Sequence, residues 1–513
     1  MIPSSISAPP VNSRRVVIAL LVIAAIALAV RIAAAFAMPN QLWPDEIFQS
    51  LEQAHRIVFG PGVVPWEFRD ASRSWLFPGA LAGVMKATSV FSSAPIAYLA
   101  ASATALSLLS LATVWAAFRT ALASAGLRGA IVAGATCALW YELVYFAPKA
   151  LGEVAAGNLL VIGVMLADRV GRGVGVGIVV GAGGATRRTV LGCAAVLALV
   201  AAMRMQLAPA AVTCLVYAVW RLPWRQRLEA AGVALAVVLA VGMLDAVTWS
   251  YPFESFVENL RANIVEGRSH QFGVAHWYAY FAAYGHLWGA LGLVVVGLAI
   301  LGATRARLVG VTALIVVVTH LPVAHKEYRF LYPALALVMV LVGFGLAVLV
   351  EQVAQLRSAR IANLAAAGAV VLMLVISLAL ANRYEDRARD FGMPGPAHAE
   401  SLWRVRRGNI VGTKLLGEDP GVCGVALVGL HWSTTGGYTY LHRDIPLLAL
   451  HSSAQLEPLT PYFNAILGRP DLPDPFGPFV RGECWPTACV FRRPGGCVPL
   501  PASAESARAG ADN

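Results

Sequence analysis

The sequence predicts a mainly α-helical protein that threads a membrane many times and ends in a small soluble α/β domain. Three observations carry the prediction. Of 513 residues, 58% are hydrophobic and only 13% are charged. Mean hydropathy is +0.67, more than the surface of a soluble chain of this length tolerates. The apolar residues also gather into runs of about 20, the length that crosses a bilayer. The net charge of +11 comes from arginines scattered singly between these runs. That is the pattern of membrane topology rather than of a nucleic-acid surface.

About eleven runs qualify as spans by length and apolarity: 16–37, 95–118, 129–148, 153–167, 189–203, 207–220, 228–249, 280–302, 309–324, 331–350 and 361–381. The pair 189–203 and 207–220 is short and reads equally as one re-entrant unit. The first run is longer than a signal segment, keeps Arg31 and has no small-residue cleavage site, so an uncleaved anchor is expected. With the N-terminus inside, fifteen arginines fall on inner connectors, from Arg14 and Arg15 to Arg357 and Arg360. The outer segments 38–94, 250–279 and 324–329 then receive Asp45, Glu46, Glu52, Glu67, Asp70, Glu254, Glu258, Glu266 and Glu327. This segregation fits the positive-inside rule and sends 382–513 outside.

That tail is soluble in composition, with turn-forming "MPGP", "TTGGYTY" and "LPDPFGP" and a β-like "GVALVGL". The expected division is therefore a membrane domain over 1–381 and a soluble domain over 382–513. Cys423, Cys484, Cys489 and Cys497 lie in the tail and read equally as disulfides or as separate thiols. Cys137, Cys193 and Cys214 lie in spans and read as packing residues.

The first outer loop opens with "WPDEIFQSLEQAHRIVF". Pro44 suits a first helical turn, and Asp45 and Glu46 complement its positive end. Ile47, Phe48, Leu51, Ala54 and Val58 follow at helical spacing, an amphipathic stripe suited to the membrane surface. Taken alone, the two acids read as readily as dipole partners as functional groups. The rest of the loop favours function: Trp66, Glu67, Phe68, Arg69, Arg73, Ser74 and Trp75 mix carboxylates, guanidinium groups and indoles over a connector of about fifty residues. Such a set offers a base for a sugar hydroxyl and cations for a phosphate. The competing reading for Trp66 and Trp75 is an interfacial aromatic belt.

A second cluster is "HLPVAHKEYRFLYP", where His325, Lys326, Glu327 and Arg329 crowd a span end, with His320 a turn earlier. Ionisable groups at membrane depth are costly and favour function over anchoring. Glu153 has Lys149 four residues before it, which offers a plain local ion pair. Arg204 and Gln206 interrupt an apolar hairpin and either hold a phosphate or satisfy the turn. Asp245 and Trp249 precede a long loop containing His276, Trp277 and Tyr278, read equally as substrate contacts or interface anchors. No HExxH, Walker loop or Rossmann fingerprint is present, and the glycines of 171–184 read as a flexible link. Without a nucleotide cradle, a lipid-linked sugar donor is expected rather than a sugar nucleotide, with no metal and no cofactor.

"WPDEIFQSLEQAHRIVFGPGVVPWEF" followed by "RSWLFPG" resembles the first lumenal loop of the Alg9-like GT-C mannosyltransferases, glycosyltransferase family 22. "HKEYRFLYP" is similar to their HKE-x-RF signature, and "DAVTWSYPFESFVENLRANI" to their Asp…Tyr-Gly…Asn-Phe loop. "LHWSTTGGYTYLHRDIPLLAL" resembles a tail segment of the branch that adds the third mannose of the GPI anchor. The chain departs from the family at Trp43, Pro252 and Leu430, where the pattern has His, Gly and Cys.

The resemblance implies a GT-C fold and inverting transfer of mannose from a polyprenyl-phosphate carrier to a glycan or glycolipid. Asp45 is then the general base, with Glu46 beside it. Lys326, Arg329, Arg204 and His325 hold the donor phosphate, and Glu327, Trp66, Glu67, Arg73, Glu153, Gln206 and His276 contact substrate. The site would face the periplasm or ER lumen. The Ala/Val/Arg-rich composition suggests a bacterial inner membrane. Rival readings are a flippase of lipid-linked saccharide and a GT-C enzyme that uses another sugar. No nucleic-acid partner is expected, and no protein partner is indicated.

Overall fold

The computed structural model describes residues 13–173, 187–384, 401–450 and 455–510. The chain divides into two compact units. One comprises Met1–Ala33, Leu106–Met243 and Gly267–Ala399; the other comprises Ala34–Ala105, Leu244–Glu266 and Glu400–Asn513. The tail is thus not set apart at residue 382 but forms a unit with two outer segments. The "MPGP" turn and most of the expected glycine link at 171–184 lie outside the described residues.

Every predicted run falls on helix, yet six helices among the described residues are long and apolar enough to cross a membrane: Ser13–Ala37, Pro95–Leu139, Gly152–Gly171, Trp224–Thr248, Tyr328–Leu356 and Ala359–Asn382. A seventh is counted if Ala279–Trp288 and Leu291–Arg305, bent by 111°, make one span. The shortfall from eleven has local causes. Runs 95–118 and 129–148 fall largely on two helices that meet without a gap at a kink at Gly126, φ 62°, and so count together within Pro95–Leu139. The helices Arg187–Met203 and Arg307–His320, and the apolar stretch Met205–Val219, are short of a full span.

In the first unit, the helix Pro95–Leu139 ends where Trp140 turns extended, which frees its last carbonyls. In hydrocarbon such groups need partners. Arg31 supplies them: its Nη1 donates to Ala138 O at 2.9 Å and its Nη2 to Cys137 O at 3.2 Å, while Nε donates to Ser110 Oγ at 2.9 Å. Ser377 Oγ donates to Leu139 O at 2.8 Å and accepts from Tyr141 N at 2.8 Å. The one charge in the interior of the first span, Arg31, is therefore a helix cap. Helices Leu291–Arg305 and Tyr332–Leu356 approach backbone to backbone, because a Cβ at Gly302 or Gly345 would strike the carbonyl of Leu341 or Leu298. Small residues serve membrane helix pairs in this way.

In the second unit, a five-stranded sheet has the order β2-β1-β3-β5-β4. Strands β1 (Val425–Val428), β2 (Leu447–Leu450) and β3 (Ala465–Gly468) run parallel, with Val425 opposite both Leu447 and Ala465. Strand β5 (Cys489–Arg492) pairs antiparallel with β3 and with β4 (Val480–Cys484). The three parallel strands are buried along their whole length, as a sheet covered on both faces requires. One cover contains Phe463, Phe479 and Phe491. The other includes Ile47, Phe48 and Val63 from the first outer loop, packed with Leu416, Trp432 and Tyr438. The amphipathic stripe expected at the membrane surface therefore lies against the tail. Disulfides join Cys423 to Cys497 and Cys484 to Cys489, while Cys137, Cys193 and Cys214 are buried and free.

Candidate active site

The expected helix start at Pro44 forms with an unusual first turn. Asp45 caps a π-helical segment, Glu46–Leu51, which passes directly into the α-helix Glu52–Phe59. Such wide turns recur at functional sites because the extra residue re-aims side chains. Here Gln49 donates from Nε2 to Glu67 Oε1 at 2.7 Å. Glu67, on the short helix Trp66–Arg69, is buried. Burial first, and then the Asp45 charge, push its carboxyl up to about 7 against the opposing pull of Arg73 and Gln49. Asp45 and Glu67 are thus electrostatic neighbours. Glu46 is buried too, and the Tyr440 phenol is pushed up by burial and then by the Glu46 charge.

Around this corner, Phe68, Trp75 and Trp249 form an aromatic group with ring centroids 4.8 to 6.4 Å apart. Trp249 Nε1 donates to Arg73 O at 3.1 Å, and Asn259 Nδ2 to Ser72 O at 3.2 Å. Asp245 Oδ2 accepts from Ser255 N at 3.1 Å and from Ser255 Oγ at 2.6 Å. Trp75 is therefore part of a packed cluster, and Trp66 is half-buried beside Glu67.

Glu52, in the same unit, has a different part. It is fully buried, and its Oε1 accepts from Val63 N at 2.8 Å and Tyr438 N at 2.9 Å. Its Oε2 accepts from Thr439 N at 2.7 Å and Thr439 Oγ1 at 2.6 Å. This carboxylate clamps the "TTGGYTY" segment onto the first outer loop.

In the first unit, the second sequence cluster forms a buried ionic chain. Arg204 pairs with Glu153 Oε2, and Arg329 Nη1 lies 3.0 Å from Glu153 Oε1. Arg329 Nε also meets Glu327 Oε2 at 2.5 Å, and His325 Nε2 lies 3.0 Å from Glu327 Oε1. Burial acts to raise the Glu327 carboxyl, but Arg329 and His325 outweigh it and draw it down to about 2. Burial likewise opposes the charge on His325, yet its bond to Glu327 raises it overall. Lys326 Nζ donates to Leu321 O at 2.9 Å and to Val323 O, and lies 5.6 Å from the Tyr280 ring centre. Arg204 and Arg329 thus meet the two carboxylates, while Lys326 is held by backbone carbonyls.

The structure corrects the local reading of Glu153: its partners here are Arg204 and Arg329, not a lysine one turn back. Arg204 and Arg329, expected on a phosphate, are already engaged with carboxylates. Gln206 is exposed in its turn. His276 is also exposed and stacks on Tyr278 at 5.3 Å. Neither joins the ionic chain.

Sequence reasoning passed over Glu142. This fully buried carboxylate accepts from Trp140 Nε1 at 2.7 Å, from Trp288 Nε1 at 3.1 Å and from the Tyr328 hydroxyl. Tyr328 lies between Glu327 and Arg329, so the bond steadies that segment. The available signal was a single acid inside the apolar, aromatic "LWYELVYF". Among the described residues, no group of three or more His, Cys, Asp or Glu is placed to hold a metal ion.

Comparison with known proteins follows this geometry. Over 94% of this chain and 99% of its own, ArnT from Cupriavidus metallidurans, solved bound to undecaprenyl phosphate, superposes with a TM-score of 0.60 at 11% identity. An Archaeoglobus fulgidus oligosaccharyltransferase, solved with Zn and sulfate, superposes with a TM-score of 0.50 at 12% identity over 88% of this chain and 68% of its own. At these identities the likeness is one of fold, and the fold is GT-C. The GPI mannosyltransferase 3 of Drosophila melanogaster is 44% identical over 59 residues, 12% of this chain and 10% of that protein. The GPI alpha-1,2-mannosyltransferase 3 of Bos taurus is 39% identical over 59 residues, 12% of this chain and 11% of that protein. The chain thus spans about a tenth of the length of these curated relatives. Residues 22–442 match the Alg9-like mannosyltransferase family. The chain therefore has the GT-C fold, with several helices long and apolar enough to cross a membrane, and belongs to the Alg9-like mannosyltransferase family.

Proposed function

We propose that the protein transfers mannose from a polyprenyl-phosphate carrier to a hydroxyl of a glycan or glycolipid, with inversion, and that Asp45 is the general base. Asp45 takes the proton as the acceptor oxygen attacks the anomeric carbon. The bond from that carbon to the phosphate oxygen breaks on the opposite face, so a β-linked donor gives an α-mannoside. The phosphate departs as an anion, and no acid is needed to protonate it. An anion of this kind needs cations, the role that the family resemblance gives to Lys326, Arg329, Arg204 and His325.

The observation that carries this reading is the position of Asp45, at the mouth of a π-helical turn and next to a second, buried carboxyl. Perturbed carboxyls of this kind mark functional sites more often than packing sites. Disulfides in the same unit support a reading of the side of the membrane. The two disulfides need an oxidising compartment, so we place Asp45 on the extracytoplasmic side.

The test is Asp45→Asn, which keeps the shape and removes the base. With polyprenyl-phosphate mannose in reconstituted membranes, turnover should fall by about 10²- to 10⁴-fold while thermal stability stays close to wild type. Turnover at the wild-type rate would remove Asp45 from the mechanism.

A further inference from the structure

Strand β1 ends at Val428, and the loop after it carries His431, Trp432, Ser433 and Thr434. β1 stands between β2 and β3, so the strand order reverses there. Open α/β sheets hold ligands at such a reversal, outside the carboxyl ends of the strands. The loop is tied down from three sides. Gln41 Nε2 donates to Ser433 O at 3.0 Å, Asn409 Nδ2 donates to Thr434 O at 2.9 Å, and the Trp432 ring meets that of Phe48 edge-on at 4.9 Å. The contacts at Gln41 and Phe48 bracket Asp45, which follows Gln41 by four residues and precedes Phe48 by three. Within one compact unit, the loop therefore borders the segment that carries the proposed base.

Two observations point to a polar ligand here. The ring of His431 is exposed, and its Nδ1 accepts from Ser433 N at 3.2 Å and from Ser433 Oγ at 2.7 Å. The proton of the neutral ring therefore sits on Nε2, and the turn holds a donor of fixed tautomer. The second observation is a set of unmet polar atoms around the same loop. Among the described residues, Gln41 Oε1, Asn409 Oδ1 and Trp432 Nε1 make no hydrogen bond, although all three side chains are buried. Such groups are costly until something meets them. Two are oxygens that need a donor, and one is an N–H that needs an acceptor. An ionised phosphate has no donor to give, whereas a sugar hydroxyl both gives and accepts. The three atoms are covered in this conformation; the His431 ring is not.

We propose that the loop 429–434 is the acceptor subsite and that His431 donates its Nε2–H to a hydroxyl oxygen of the acceptor glycan. This rests on Asp45 being the base, because the hydroxyl beside Asp45 then belongs to the acceptor. His431 holds the acceptor, and the proton of the attacking hydroxyl still goes to Asp45. His431 also caps the short turn Trp432–Thr434. A residue kept for that cap alone would need only its Nδ1.

The test separates the two ring nitrogens. His431→Asn keeps an acceptor for Ser433 N–H and loses the Nε2–H, while His431→Gln keeps an N–H donor near the Nε2 position and loses the cap. Each is assayed in reconstituted membranes with polyprenyl-phosphate mannose and a dilution series of glycolipid extracted from the membranes of the organism that makes the protein. In His431→Asn the extract needed for half-maximal transfer should rise about 5- to 20-fold, while thermal stability and half-saturation by the donor stay at wild-type values. His431→Gln should recover part of that loss despite a lower thermal stability. An unchanged requirement for extract in His431→Asn overturns the proposal. So does a larger requirement in His431→Gln than in His431→Asn, or an equal rise in the requirement for donor. Asp45→Asn keeps the two ideas apart. If it is inactive while His431→Asn saturates as wild type, only the subsite fails; if it turns over normally, the base assignment fails whatever His431 does.

Discussion

The first outer loop and the His325–Arg329 segment both concentrate charge, but they treat it in opposite ways. Around Arg329 each charge is answered: two arginines, two glutamates and a histidine alternate in a buried chain, and a carboxyl is drawn down to about 2. At the head of the outer loop like charges are set together, and a carboxyl is pushed up to about 7. A chain of answered charges is rigid and keeps its protonation state across the physiological range. A carboxyl held up to about 7, as Glu67 is, changes protonation state near neutrality. Proton chemistry therefore belongs to the outer loop and a fixed electrostatic frame to the buried chain.

This contrast is broken most severely by Glu153→Ala. The substitution removes the Glu153 carboxylate from both Arg204 and Arg329. Removing one partner of a buried ion pair costs about 3–5 kcal/mol. The expected outcome is a large fall in thermal stability in detergent, with activity lost in step. Glu153→Ala with wild-type stability would mean that the chain is no electrostatic frame.

Much of this was legible in the residues. Glu67 and the HKEYR segment announce themselves as charge where a connector would be short and plain. The pairing was not legible, because Glu153 lies 51 residues from Arg204, and the only neighbour that local spacing offers is Lys149. The stripe of Ile47, Phe48 and Leu51 was read correctly as apolar and amphipathic, but period alone does not say whether lipid or protein covers it. The number of full-length spans was not legible, because hydropathy does not register how short Arg187–Met203 and Arg307–His320 are, or the extended turn at Trp140.

Glu52→Ala comes next in size and separates clamp from catalyst within the outer loop. It orphans the N–H groups of Val63, Tyr438 and Thr439 and the Thr439 hydroxyl. Orphaned buried donors cost about 1–3 kcal/mol each and do not add fully, so a loss of about 2–4 kcal/mol is expected. Limited proteolysis should show residues 437–442 becoming accessible. If the acids of this loop are divided as the hydrogen bonds indicate, the pH dependence of turnover that survives in Glu52→Ala keeps its wild-type midpoint. A moved midpoint would place Glu52 among the titrating carboxyls.

The smallest effect comes from a neutral pair in the same unit. His55 Nδ1 lies 2.9 Å from Pro61 O, a pure acceptor, so that nitrogen carries the proton. His55 Nε2 is then the acceptor in its 2.9 Å contact with His442 Nδ1. Protonating His55 would set two N–H groups against each other. Burial lowers His55 to about 4, with a further contribution from His442, whereas an unfolded histidine titrates near 6.5. Between these values the unfolded state binds a proton that the folded state refuses. The stabilisation is therefore complete above about pH 6.5 and is lost as pH falls towards about 4, a change on the order of 2 kcal/mol. The protection of amides in Glu52–Phe59 and Gly437–Leu441, taken relative to the intrinsic exchange rate at each pH, should fall as pH drops through that window in the wild type and stay constant in His55→Gln. Protection that does not change with pH in the wild type would show that the two rings do not hold the tail to the loop, and would leave the docking to Glu52 and the apolar face of Phe48.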